Sequence, residues 1–169
     1  MNRAVKSIIG FATVLSLLGS TGAAMATVLA SAGPNRFVPA SPSDAGFISH
    51  TVGRYVTNTT TAGSANVVAD LGVVTGVTSL TVYIGALREQ FLAGNLACSV
   101  LLNDSNSGGD VAGSTLFWSN TDNYVVKNVP FSGLSSTTRY TVTAFCSIPA
   151  QSNDGNPDTN SRIYSSWVQ

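Results

Sequence analysis

The chain has 169 residues, with eight basic and eight acidic side chains, a single histidine and 44% hydrophobic content. That is one domain's worth of chain, enough to bury a real core. The balanced charge argues against nucleic acid and anionic membranes, both of which call for a basic face.

The opening stretch, MNRAVKSIIGFATVLSLLGSTGAAMATVLA, sets Arg3 and Lys6 ahead of an apolar run from Ile8 to Leu18, and Ala24-Met25-Ala26 follows. This is the layout of a signal peptide over residues 1–26, with Ala30-Ser31-Ala32 as a second cleavage position. A membrane anchor would need about 20 apolar residues, and Gly10, Thr13, Ser16 and Gly19 interrupt this run sooner. The expectation is a secreted or periplasmic protein with no transmembrane segment in its mature form. Loss of Arg3 and Lys6 leaves six basic against eight acidic residues, a net charge of −2.

Residues 27–46, TVLASAGPNRFVPASPSDAG, carry Pro34, Pro39 and Pro42 among small residues and show no apolar period. They are expected as a flexible or extended N-terminal arm. Residues 47–169 are expected as a single β-sandwich domain, because Ser, Thr, Asn, Val and Gly dominate and short β-rich runs alternate with turn residues. The runs are FISHTVGRYVT, ANVVADLG, SLTVYIG, LACSVLL, STLFWS, YVVKNV, RYTVTAFCSI and RIYSSWV. They predict an all-β, antiparallel two-sheet Greek-key sandwich of seven to eight strands. One stretch, GALREQFLAGN, has Leu87 and Phe91 four apart before Gly94-Asn95, which fits one or two helical turns.

Cys98 and Cys146 are the only cysteines. Without a CxxC spacing or a neighbouring histidine, the pair reads as a disulfide formed in an oxidising compartment. Closing that loop is worth about 3–4 kcal/mol. In RYTVTAFC, Tyr140, Val142, Ala144 and Cys146 share one face, and Cys98 shares its face with Leu96 and Val100. Both cysteines are therefore expected to point inward, as a bridge between sheets.

The stretch GLSSTTRYTVTA, residues 133–144, resembles the tyrosine-corner region of fibronectin type III domains. Leu134, Thr138, Tyr140, Val142 and Ala144 fall on that family's places, and VTSLTVYI resembles its second strand. The core Trp of that strand is absent, with Tyr83 the nearest substitute, and Ser136 stands where proline is usual. The resemblance implies a Greek-key sandwich and nothing about the ligand.

Two loops rich in Asp and Asn are candidate calcium sites. One offers Asp154, Asn156 and Asp158, the other Asp104, Asn106 and Asp110. Calcium takes six to eight oxygen ligands, but Thr159 and Ser165 stand where an EF-hand requires Gly and Glu. Ordinary turns are built from the same residue types. No other cofactor is suggested.

Trp118, Tyr124, Tyr164 and Trp167 are candidates for a platform that stacks on sugar rings, with core packing as the alternative for each. By simple alternation Tyr164 and Trp167 face opposite ways, so one of them should be core. No catalytic residue is assigned. His50 stands next to Ser49 and Thr51 in a strand pattern, Glu89 is the sole Glu, and Asp70 lies in an apolar run. None of the common catalytic motifs is present. The expected function is non-catalytic binding or adhesion, with a polysaccharide or an extracellular protein as partner. A structural or polymerising subunit is the alternative, and a carboxylate-based hydrolase is the third.

Overall fold

The structure, a computed structural model, describes residues 29–88, 94–119, 121–151 and 160–169. The proposed signal peptide lies outside them, as do Glu89 and Phe91. Among the described residues the strands are β1 (Ala30–Ala32), β2 (Val38–Pro39), β3 (Ile48–Thr51), β4 (Tyr55–Asn58), β5 (Ala65–Val74), β6 (Ser79–Arg88), β7 (Leu96–Asp104), β8 (Asp110–Trp118), β9 (Thr121–Ser132), β10 (Tyr140–Ile148) and β11 (Arg162–Val168). All eight predicted runs are strand. FISHTVGRYVT is two of them, because Gly53 at φ 70° turns the chain between β3 and β4. The expected helical turn does not begin before residue 89, since β6 runs on to Arg88.

The strands form two antiparallel sheets, ordered β3-β4-β11-β6-β9, with β1 also on β11, and β2-β5-β10-β7-β8. Alternation decides which side chains meet between them. In β10, Tyr140, Val142, Ala144, Cys146 and Ile148 are buried while Phe145 is exposed. Val82, Ile84 and Ala86 of β6 face them across the core. A two-residue period with one buried face is what a sandwich layer requires.

Cys98 and Cys146 form the disulfide, 48 residues apart in sequence. Both are buried, but they are direct partners on the adjacent strands β7 and β10. The bridge therefore staples two strands of one sheet, not one sheet to the other. The Cα–Cα distance across the pair is 4.0 Å.

Tyr140 makes the corner that the resemblance implies: its Oη accepts the Ser135 N–H at 2.8 Å. Beyond that point the connectivity differs from an immunoglobulin-type sandwich. There the corner strand and the next strand share a sheet, whereas β10 and β11 lie in opposite sheets. Tyr83 is not a core substitute either, for it stands on the outer face of β6, half-buried.

The expected arm is part of the sandwich. Ala30–Ala32 pairs with β11, and Val38–Pro39 pairs with β5. Between them Pro34–Arg36 makes one 3-10 turn, and Phe37 is fully buried. Proline suits both of its positions, opening a helical turn and lying on an edge strand.

Candidate functional site

The outer face of the sheet β3-β4-β11-β6-β9 gathers aromatic side chains from four strands. Register sets the inward positions: Ile163 opposite Val56 and Ala86, Val168 opposite Val82, and Val129 opposite Val82 on the other side. The alternate positions point out, bringing Tyr55, Tyr83, Tyr124, Tyr164 and Trp167 to one surface. These are four of the five tyrosines and one of the two tryptophans.

Simple alternation puts Tyr164 and Trp167 on opposite faces, and it fails because of a bulge. The β11–β6 register shifts between Ile163 and Ser165, so Ile163, Ser166 and Val168 are buried while Tyr164 and Trp167 both stay partly open. A bulge inserts one extra residue and re-aims the side chains after it.

The rings hold one another. Tyr83 and Trp167, cross-strand partners, stack with centroids 5.1 Å apart and planes 4° from parallel. Tyr164 contacts Tyr124 edge-to-face at 5.3 Å and Tyr55 at 5.8 Å. The Arg162 guanidinium lies 4.5 Å from the centre of the Tyr55 ring. Such pairs are worth about 0.5–1.5 kcal/mol each beyond area burial, so the surface is ordered before any ligand arrives.

Gly85 is the floor of this surface. It pairs with Val126 and Ser165 in outward register, yet it is buried, because the Tyr124 ring crosses it. A Cβ at this position would stand 2.1 Å from Tyr124 Oη and 2.7 Å from Cζ. Only the absence of a side chain at Gly85 lets that ring lie down on the sheet. Tyr124 itself remains 48% exposed. No carboxylate stands among the described side chains of this face.

Of the four platform candidates, Tyr124, Tyr164 and Trp167 belong to this surface and Trp118 does not. Trp118 is 1% exposed, and its indole N–H donates to Val125 O at 3.0 Å. Its neighbour Phe117 takes the outward position at 56% exposure. Nothing in LFW distinguishes which aromatic of the adjacent pair faces in.

The acidic candidates have local duties. Asp104 Oδ1 accepts the Asn106 N–H at 2.8 Å within the β7–β8 turn. That bond, joined by Ser107, holds its carboxyl below the ordinary aspartate range. Asp110 accepts from Asn103 Nδ2 across the same turn. Asp154, Asn156 and Asp158 lie outside the described residues. Among the described residues no three His, Cys, Asp or Glu side chains come together as metal ligands.

Asp70 bonds the Gly72 N–H at 2.8 Å beside the bulge where β5 meets β10. The His50 Nε2–H donates to Phe37 O at 2.6 Å and ties β3 to the N-terminal segment.

No protein-family model matches the chain, and no curated protein matches it in sequence. Several solved structures are similar to it in three dimensions. TmCBM61, in complex with beta-1,4-galactotriose, shares 13% identity over 82% of this chain and 86% of that one, at a TM-score of 0.43. A carbohydrate-binding module from Cellvibrio mixtus lichenase 5A, in complex with cellotriose, shares 10% over 85% and 98%, at 0.39. The enzymatically active domain of bacteriophage CBA120 tailspike protein 4 shares 9% over 83% and 18%, at 0.40. At scores below 0.5 these likenesses are loose and decide neither connectivity nor ligand.

Proposed function

We propose that the protein is an exported, non-catalytic carbohydrate-binding module that takes a polysaccharide across the outer face of β4, β11, β6 and β9. The observation that carries this reading is the set of five aromatic rings on that one face, three of them in a chain of edge contacts and two stacked. A sugar ring presents an apolar C–H face rimmed by hydroxyls. Aromatic rings cover the first, and tyrosine Oη with the exposed Asn128 amide can hydrogen-bond the second. Because the rings are already fixed by one another, little side-chain entropy is lost on binding. A disulfide and a signal-like N-terminus support an extracellular or periplasmic setting.

The test is native electrophoresis in gels containing xylan, galactan, mannan or mixed-linkage glucan. At least one polysaccharide should retard the wild-type chain. Gly85→Ala should weaken that retardation about tenfold, by lifting Tyr124, while changing stability by no more than about 1 kcal/mol. A wild type that migrates unretarded in all four gels refutes the reading.

A second reading, a subunit of an extracellular assembly, is favoured by the opposite sheet. Its outer face exposes Val38, Val73, Leu101, Phe117 and Phe145, and exposed apolar patches mark interaction surfaces. Donation of the N-terminal segment does not support it, since that segment pairs within its own chain. Elution from a sizing column as a monomer at high concentration sinks this second reading.

A further inference from the structure

Away from the aromatic face, the segments joining β2 to β3 and β4 to β5 enclose a cleft of about 300 Å³. Ser43, Asp44, Phe47, Thr60, Gly63 and Ser64 line it.

Its walls are held from behind. Asn58 is buried; its Nδ2 donates to Gly63 O at 2.9 Å, Ile148 O at 3.1 Å and Pro149 O at 3.0 Å. Its Oδ1 accepts the Thr60 N–H at 2.9 Å. The Gln151 N–H bonds Thr60 O at 2.6 Å, and the Thr59 N–H and hydroxyl both bond Phe47 O. One wall is thereby fixed to the other and to the end of β10, so the cleft is preorganised.

One lining residue is a carboxylate. Asp44 is 9% exposed; its Oδ2 accepts the Ser41 hydroxyl at 2.5 Å and its Oδ1 accepts the Asn66 N–H at 3.0 Å. These bonds, that of Ser41 first, hold the group below the usual aspartate range and keep it ionised at neutral pH. Each carboxylate oxygen has two acceptor sites, so one remains on each. Phe47 stands alongside as an exposed ring, and the rim is hydroxyls. Two free acceptor sites, an apolar ring face and a small polar rim fit a ring with adjacent hydroxyls. A negatively charged lining residue disfavours an anion.

We propose that this cleft is a second carbohydrate site for a single neutral sugar residue, with Asp44 accepting from two of its hydroxyls and Phe47 covering its C–H face. The cavity lies at the small end of small-molecule sites, which suits one residue better than a chain. The proposal rests on the protein being carbohydrate-binding, but it uses none of the platform side chains.

The test is an amide-resolved NMR titration of the full chain with the methyl glycosides of glucose, galactose, mannose and xylose. At least one should shift the amides of Thr60 to Ser64 and of Asn66. Asp44→Asn should weaken those shifts about tenfold, by removing a charge-assisted acceptor. Gly63→Leu should abolish them by filling the cleft; a Cβ there meets nothing within 4 Å, so the fold survives. Shifts confined to the aromatic face, shifts undiminished in both variants, or no shift at residues 60–66 with any of the four sugars each overturn the second site. Polysaccharide retardation in the gels, by contrast, depends on the platform, so the two sites fail separately.

Discussion

Phe37→Ala is expected to lower the stability of the chain by about 3–5 kcal/mol, the usual cost of emptying a buried phenylalanine site. Phe37 is 0% exposed and packs in the core cluster with Val56, Val67 and Leu71. Its main chain is tied at both ends. Its N–H bonds Pro34 O at 3.1 Å, and its carbonyl accepts His50 Nε2–H at 2.6 Å. Removing the ring therefore leaves a cavity that the tied backbone cannot collapse to fill. Chemical denaturation of the disulfide-bonded protein measures the effect as a fall in midpoint at unchanged slope. A loss below about 1 kcal/mol would mean that the N-terminal segment is a loose arm after all.

Pro34, Pro39 and Pro42 are strong punctuation, and three of them in 20 residues read as chain without regular structure. What the sequence does not display is which edge such a segment covers. Pro39 sits on a two-residue edge strand, where its missing N–H costs nothing in the ladder. The long runs were legible for the opposite reason. In RYTVTAFC and LACSV a strict two-residue period leaves one face buried, and a slip of one residue would expose it all. The inward orientation of both cysteines follows from that period. The same period could not tell whether they bridge two sheets or two neighbours in one, because both partners face the core either way.

The aromatic surface was half legible. The sequence offers Trp118, Tyr124, Tyr164 and Trp167 as aromatics able to stack on a ligand, but it does not offer Tyr83, and of the four Trp118 is core. Tyr83 resembled a core position through the fibronectin type III pattern, yet it belongs to a cross-strand stack with Trp167. That Trp167 shares a face with Tyr164 is hidden by the bulge at Tyr164-Ser165, a feature set by pairing with β6 and not by the local sequence. Gly85 carried the one local signal that was available: a glycine inside an otherwise β-branched and aromatic run marks a place where something approaches the backbone closely. Here that something is the Tyr124 ring.

The two tryptophans should therefore respond oppositely to truncation. Trp118→Ala removes a buried indole and leaves Val125 O without the donor that now bonds it at 3.0 Å. A loss of about 3–5 kcal/mol in stability is expected. Its effect on polysaccharide affinity, measured well below the melting midpoint, should be within about threefold, because its ring never reaches the surface. Trp167→Ala removes a half-buried ring stacked on Tyr83. Its stability cost should be smaller, about 1–2 kcal/mol, since only part of the ring is withdrawn from water. Its affinity should fall at least about tenfold, because the loss frees Tyr83 as well as deleting one stacking face. Measuring both quantities on both variants separates a core role from a binding role for the same residue type. If Trp118→Ala lost affinity while keeping its stability, the ring would have to reach ligand, and the aromatic surface would have to extend to β8. If Trp167→Ala kept its affinity, the polysaccharide would bind elsewhere, and the ring cluster would be a structural cover for β6 and β11.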